Sequence, residues 1–400
     1  MVTLERTNTA LGVETPSGPE FSLTEEQRAV QELAREFAKN EIDPIVEEID
    51  EAQRFPMEVM KKAGELGFLG ILFPEEYGGA GLGYTEYVLI VTELSKVDPS
   101  VGISVAAHNS LCSNHIYKFG TEEQKTRWLT PLARGEAIGA WSLTEPGAGS
   151  DAAGTRTRAE KVDGGWVING AKTFTTHGAV GDVCVIMAVT DPDGRKGRNI
   201  SAFVLEKGMD GFRAGKKEDK LGIRASDTSE VVMENCFVPD DHLLGEREEG
   251  FKQALAILDG GRISIAALGL GTAIGAFETA RDYAKEREQF GRPIARFQAV
   301  QFYLAEMATR IAAAEALTFA AADAMDRGLK VTRIASEAKL NAGEAAVFCS
   351  ERGVQILGGY GFIKDYRAEK FYRDAKICTI GEGTSEIQRL VIARQLLQGN

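Results

Sequence analysis

The order of periodicities along the chain is the strongest constraint on its fold. Helical spacing of apolar residues runs from about residue 21 to 136, gives way to short β-rich runs up to about 249, and returns from Gly250 onward. Thr24-Glu25-Glu26-Gln27 has the capping-box pattern, with Val30, Leu33, Ala34 and Phe37 on one face before Pro44. Thr121-Glu122-Glu123-Gln124 repeats the signal ahead of Trp128 and Leu129. Between residues 137 and 249, runs at 137–143, 166–168, 183–189, 200–205 and 230–233 alternate with turn signals, as in a small barrel or sandwich. Residues 298–327 then carry Leu304, Met307, Ile311 and Leu317 at helical spacing, with Gly328 as a stop. Helices, strands and helices in that order, without βαβ alternation, predict an α+β multidomain chain rather than a Rossmann fold. The expected division is a loose tail over 1–20, an all-α domain over 21–136, a β domain over 137–249 and a helix bundle over 250–400. Gly269-Leu270-Gly271-Thr272-Ala273-Ile274-Gly275 imitates a dinucleotide loop, but no strand precedes it and its last glycine falls one place late. It reads as a closely packed helix.

A net charge of −13 over 400 residues argues against a nucleic-acid partner. No apolar run is expected to reach the length of a membrane span, and the start lacks a signal-peptide core, so a cytoplasmic protein is expected. Five scattered cysteines without a Cys-x-x-Cys pair, and four histidines outside any His-Glu-x-x-His pattern, give no support for a disulfide or metal site.

Near the end, Gly381-Glu382-Gly383 places a carboxylate between two glycines, just ahead of a helix marked by Ile387, Leu390, Val391 and Leu397. Ser385 and Gln388 have capping-box spacing there. Taken alone, such a loop more often holds a surface acid than a catalytic one. Trp141-Ser142-Leu143-Thr144-Glu145-Pro146-Gly147-Ala148-Gly149-Ser150-Asp151 is likewise a turn whose amides and hydroxyls suit an anion or a polar ring edge.

Together with Gly383-Thr384-Ser385-Glu386-Ile387-Gln388, that turn resembles the acyl-CoA dehydrogenases, with motifs in the same order over about residues 23–397. Lys216-Lys217-Glu218-Asp219-Lys220-Leu221-Gly222-Ile223-Arg224 resembles the short-chain, butyryl-CoA type most. The resemblance implies an N-terminal α-helical domain, a central β-barrel domain and a C-terminal four-helix bundle. It also implies FAD between barrel and bundle, a homotetramer, and an electron-transfer flavoprotein as acceptor. By the same resemblance Trp141, Leu143, Thr144, Phe174, Thr175 and Thr176 would lie at the flavin ring, with Ser150 at the acyl-CoA or the FAD pyrophosphate. Arg287, Gln289, Phe290, Phe297 and Gln298 would reach a neighbouring subunit's FAD, as would Gln355, Ile356, Leu357, Gly358 and Gly359. Thr384, Ser385 and Glu386 would hold the ribityl-phosphate part, and Asp259, Arg262 and Gly383 would meet the CoA substrate.

A saturated thioester offers a weakly acidic α-hydrogen and a β-hydride that no side chain can accept, so a flavin must take the hydride. Glu382 is the expected base, with its backbone N–H and a flavin ribityl hydroxyl stabilising the enolate. Relatives that place the base on the helix corresponding to Asp259-Gly260-Gly261-Arg262 are not matched, because that position here is glycine. Gly381 stands where tyrosine is frequent, His177 where asparagine is common and Arg367 where proline is frequent, which leaves acyl length and branching open. A flavin oxidase or monooxygenase on the same scaffold is the alternative in another reaction class. A non-enzymatic scaffold protein, tolerant of Glu382→Gln, is the alternative outside enzymology.

Overall fold

The computed structural model describes residues 23–398; the tail expected over 1–20 lies outside them. Helix Glu25–Phe37 starts with a reciprocal cap, in which Gln27 N donates to Thr24 Oγ1 and Thr24 N to Gln27 Oε1, each at 3.1 Å. Thr121 and Gln124 form the same box. Helices Tyr84–Val97 and Pro99–Ala107 lie between them, the second capped by Asp98, which accepts from Ser100 N at 3.0 Å.

These N-terminal helices share their core with the C-terminal ones. Ala34, Tyr87, Val88 and Leu94 belong to one buried cluster with Ile263, Leu270, Ala314, Ala335 and Ala342, from helices Gly250–Glu286, Gln298–Asp326 and Thr332–Leu357. Small residues set the crossing: a Cβ on Gly271 would meet Thr92 O at 2.4 Å, and one on Gly275 would meet Lys96 O at 2.4 Å. The glycine-rich run is therefore a helix contact, as its sequence context suggests. Gly250–Glu286 is long and apolar enough to cross a membrane by length and composition, which corrects the expectation that no run approaches that length. Yet 83% of its most apolar stretch is buried inside the protein, and a helix surrounded by protein is apolar all round for that reason. Thr332–Leu357 packs against Gly250–Glu286, Gln298–Asp326 and the last helix, Ser385–Leu397. Gly328, at φ 68, ends Gln298–Asp326, in which Met307 is buried while Leu304, Ile311 and Leu317 are half-buried.

The middle segment supplies strands β1 Gly139–Ser142, β2 Arg158–Val162, β3 Gly165–Thr176, β4 Val183–Val189, β5 Ile200–Glu206, β6 Phe212–Lys217, β7 Thr228–Pro239 and β8 Leu243–Leu244. They form one sheet in the order β6-β7-β3-β2-β4-β5-β8, with β1 parallel to β4 off that path. This sheet is open, which corrects the expected barrel. Its end strands β6 and β8 are not paired with each other: β8 has only two residues, and β6 is polar and largely exposed. A single register pair, Arg158 with Val189, joins β2 to β4, so the two halves fold face to face over Trp166, Ile168, Ile186, Phe203 and Met233. β4 is buried on both faces, with Ile186 in that core and Val185 and Met187 packed with Trp128 and Leu129 of the N-terminal region. The β3–β7 register breaks between Lys172 and Thr175, and the break turns Phe174 outward.

Candidate active site

The Gly-Glu-Gly loop precedes helix Ser385–Leu397, with Glu382 at φ 52 and Gly383 at φ 97. A non-glycine residue keeps a left-handed conformation only where its surroundings impose it. Here Gln388 Nε2 donates to Glu382 O at 3.1 Å and to Gly383 O at 3.0 Å, and Lys339 Nζ donates to Gly383 O at 2.6 Å. The helix cap is Thr384, whose Oγ1 accepts from Ile387 N at 3.3 Å. The Ser385 capping box expected from the sequence is thus replaced. Ser385 is already helical, which places Gln388 one residue beyond box position and frees its side chain to turn back onto the loop carbonyls.

The loop as a whole is half-exposed, but Glu382 Oε2 is shielded from solvent and has no hydrogen-bond partner among the described residues. It points at Gly261, where an added Cβ would lie 2.0 Å from Oε2. Burial pushes the carboxyl up to about 7, against the opposing pull of Lys339 and Arg262. Arg262 Nη1 donates to Asp259 Oδ1 at 2.5 Å, and Asp259 Oδ2 accepts from Thr332 Oγ1 at 2.7 Å. Arg262 Nε is buried and has no hydrogen-bond partner among the described residues. The structure therefore brings Glu382, Gly383, Asp259 and Arg262 together. Thr384, Ser385 and exposed Glu386 follow on the same loop and first helical turn.

The expected flavin-side residues form an adjoining group. Ser142 and Thr175 hydroxyls lie 2.6 Å apart, and Thr173 N donates to Thr144 O at 2.9 Å, tying β1 and its turn to β3. Phe174, at φ 57, is 65% exposed, Leu143 is buried, Thr144 and Thr176 are half-buried, and Ser150 is exposed. Trp141 packs beside Ala107, Leu111 and Ile257, and Leu111 Cδ2 lies 3.1 Å from the position of a Gly261 Cβ, so the two groups meet. Trp141 Nε1 donates to His115 Nδ1 at 2.9 Å. Burial holds His115 neutral, down to about 4, so its Nε2–H donates to Gln253 Oε1 at 3.1 Å.

The sequence reading missed the anchor of the Trp141 turn. Glu145 accepts from Lys172 Nζ at 2.8 Å, Arg156 N at 2.6 Å, Thr157 N at 2.9 Å and the Thr155 hydroxyl. Burial alone would raise this carboxyl, but Lys172 and the hydrogen bonds hold it down to about 2. Burial also lowers Lys172, to about 8. The partners lie 27 residues apart and no local pattern links them.

The remaining expected residues gather elsewhere. Glu288–Gln289 and Arg292–Pro293 pair as a hairpin around Phe290 (φ 53) and Gly291 (φ 76), the backbone signs of a type I′ turn. Phe290 is 94% exposed and meets Phe297 edge-on at 5.9 Å. A cavity of about 400 Å³ is lined by Arg287, Gln289, Ile356, Leu357, Gly359 and Tyr360, among others. The Arg287 guanidinium stands 5.3 Å over the Tyr360 ring, and among the described residues no carboxylate pairs with it. Gln298, Gln355 and Gly358 lie exposed on the elements beside it. Gly261 lies in the first third of helix Gly250–Glu286 and Arg287 caps its far end, roughly 40 Å away along the axis at 1.5 Å per residue.

A shielded carboxylate oxygen without a hydrogen-bond partner among the described residues, set where two helical segments meet the sheet, is chemically suited to taking up a proton. Three family models match in chain order: the acyl-CoA dehydrogenase N-terminal domain over 24–136, the middle domain over 140–236 and the C-terminal domain over 248–397. The chain belongs to the acyl-CoA dehydrogenase family, flavoprotein oxidoreductases that act on the CH–CH group of acyl-CoA. It is 50% identical over 380 residues to the short-chain specific acyl-CoA dehydrogenase of Clostridium acetobutylicum, covering 95% of this chain and all of that one. Butyryl-CoA dehydrogenase from Megasphaera elsdenii superposes with a TM-score of 0.93 at 42% identity, over 94% of this chain and 100% of its own. A chain solved in work on the electron transferring flavoprotein of Acidaminococcus fermentans superposes at 0.94 with 48% identity, over 95% and 100%.

Proposed function

We propose that the protein is an FAD-dependent acyl-CoA dehydrogenase that turns a short- to medium-chain or branched acyl-CoA into the trans-2-enoyl-CoA. The sealed Oε2 of Glu382 carries this reading. It belongs to a carboxyl held near neutrality with no competing hydrogen bond, and a general base works best when its pKa lies near the working pH. Glu382 takes the α-proton. Gln388 and Lys339 fix the peptide behind it, and Gly261 leaves the space into which its carboxylate reaches. Asp259, Arg262 and Ser150 meet the CoA arm. Gly381, with no atom nearer than 3.5 Å to an added Cβ, leaves room at the acyl end.

FAD, when bound, supplies the hydride acceptor that no side chain provides. The chain's residues suit it at two places. Phe174, Trp141, Thr144 and Thr176 offer ring and hydroxyl contacts beside Glu382. Arg287, without a carboxylate partner, suits a pyrophosphate, and the aromatic rings near it suit an adenine. Because Gly261, which neighbours the first place through Leu111, lies roughly 40 Å along its helix from Arg287 in one copy, a single FAD served by both places is shared between copies, in keeping with a homotetramer. The electron acceptor is an electron-transfer flavoprotein; the likeness to the Acidaminococcus fermentans chain supports that reading.

Anaerobic titration of the purified protein with straight, branched and cyclic acyl-CoAs tests this. Bleaching of the flavin by some of them is the expected result, and a yellow protein that none bleaches refutes the substrate class. A protein unable to take up FAD refutes the cofactor, and oxygen consumption during turnover would mark an oxidase. Glu382→Gln keeps FAD yet loses about 10² to 10⁴ in rate.

A further inference from the structure

Lys339 lies in mid-helix Thr332–Leu357, and its side chain is fully buried beneath the catalytic loop. Its ammonium has one hydrogen-bond partner, Gly383 O at 2.6 Å, and among the described residues no carboxylate pairs with it. Burying an ammonium without an ion pair is unfavourable, because the lost hydration is not replaced by an opposite charge. The Gly383 carbonyl does not require that arrangement, because the neutral amide of Gln388 already donates to it at 3.0 Å. What lysine adds there is charge.

Besides Lys339 itself, the charged and titratable groups around this site come from four elements. The Glu382 charge acts on Tyr84 and Tyr87 of helix Tyr84–Val97, and burial keeps both phenols protonated and neutral. Arg262, from helix Gly250–Glu286, is engaged by Asp259 at 2.5 Å. Cys378, in the turn Lys376–Thr379 beside Lys339, is pushed up to about 12 by burial and stays a thiol. Glu386, which also acts on Lys339, is exposed on the first turn of the last helix. Among the described residues Lys339 is thus the cation beside the base that no carboxylate pairs with. Burial lowers its own pKa to about 8, which leaves it charged at neutral pH.

We propose that Lys339 is a positioning residue of the catalytic loop, its ammonium pinning the Gly383 carbonyl and supplying the positive field in which the Glu382 carboxylate exchanges its proton. This rests on the reading of Glu382 as base. The charge keeps part of the carboxyl ionised at neutral pH although burial favours its neutral form. The hydrogen bond holds the left-handed turn that aims the carboxylate at Gly261.

The test is the pH profile of anaerobic flavin reduction by butyryl-CoA in wild type, Lys339→Gln and Lys339→Met. Wild type is expected to show a rising limb near neutrality. Both variants remove the charge, and the limb moves to higher pH by about one unit. Lys339→Gln, which can still donate to Gly383 O, reaches a plateau rate within about threefold of wild type. If one variant does not fold, the other decides. A limb that stays where wild type has it, with only the plateau lowered, overturns the inference while leaving Glu382 as base. A wild type with no such limb overturns the functional reading and this inference together.

Discussion

Replacing Gly261 by alanine is the sharpest test of how the site is built. The new Cβ would lie 2.0 Å from Glu382 Oε2 and 3.1 Å from Leu111 Cδ2. The first contact is impossible, while the second needs only a few tenths of an ångström. Glu382 Oε2 is the end of a flexible side chain, so the carboxylate yields rather than the helix. Relief to an ordinary contact moves the oxygen by at least about 1 Å. A displacement of that size in a reacting group costs on the order of 10²-fold in rate. Alanine is the better helix former by about 1 kcal/mol, so the fold is not expected to weaken. The assay is stopped-flow flavin reduction by butyryl-CoA without oxygen, with thermal unfolding as the control. The expected result is a rate about a hundredfold lower, with the melting temperature held and FAD retained. A variant that reduces its flavin at the wild-type rate would refute the placement of the base against Gly261.

Glu382→Gln also reports on stability. The fold favours the neutral carboxyl, with its pKa raised from the ordinary 4.5 to about 7, so the stability this group lends is present below 4.5 and is lost as pH rises to 7. The variant is therefore expected to melt a few degrees above wild type at pH 8, and the gain should vanish near pH 4.5; a constant difference across that window would contradict the burial. Glu145→Gln leaves Lys172 buried without its anion and is expected to cost roughly 3–5 kcal/mol in chemical denaturation, with weakened FAD retention. Less than 1 kcal/mol there would show the pair to be dispensable. Gly381→Tyr is expected to narrow the range of acyl chains that bleach the flavin, and an unchanged profile would count against Gly381 as the residue that opens the pocket.

The sequence announces features that are local. Thr24 and Thr121 cap helices as their boxes indicate, and Gly328 ends its helix by taking the left-handed turn that glycine tolerates. β4 was legible because burial on both faces makes it apolar throughout. Strands β2 and β6 were not, since both are largely exposed and carry little of the alternation that marks a half-buried strand. The barrel expectation failed because closure depends on what meets at the sheet's two ends, which no run of residues encodes. At the site, Glu382 stood out through its flanking glycines. Lys339, Gln388 and the Glu145–Lys172 pair did not, because each matters through a partner remote in sequence or, for Gln388, through a one-residue shift of the helix start.

The core shared by the first and last thirds of the chain has a consequence during synthesis. Val88 and Leu94 leave the ribosome well before Ile263 and Leu270, against which they are buried. At about 5–20 residues per second, this apolar face waits roughly ten seconds or more for its cover. The sheet is made in that interval, so the middle of the chain can fold while both ends remain unfinished. A nascent chain halted before Gly250 therefore exposes the face that helix Gly250–Glu286 later covers, and such a fragment is a natural client for chaperones and proteases.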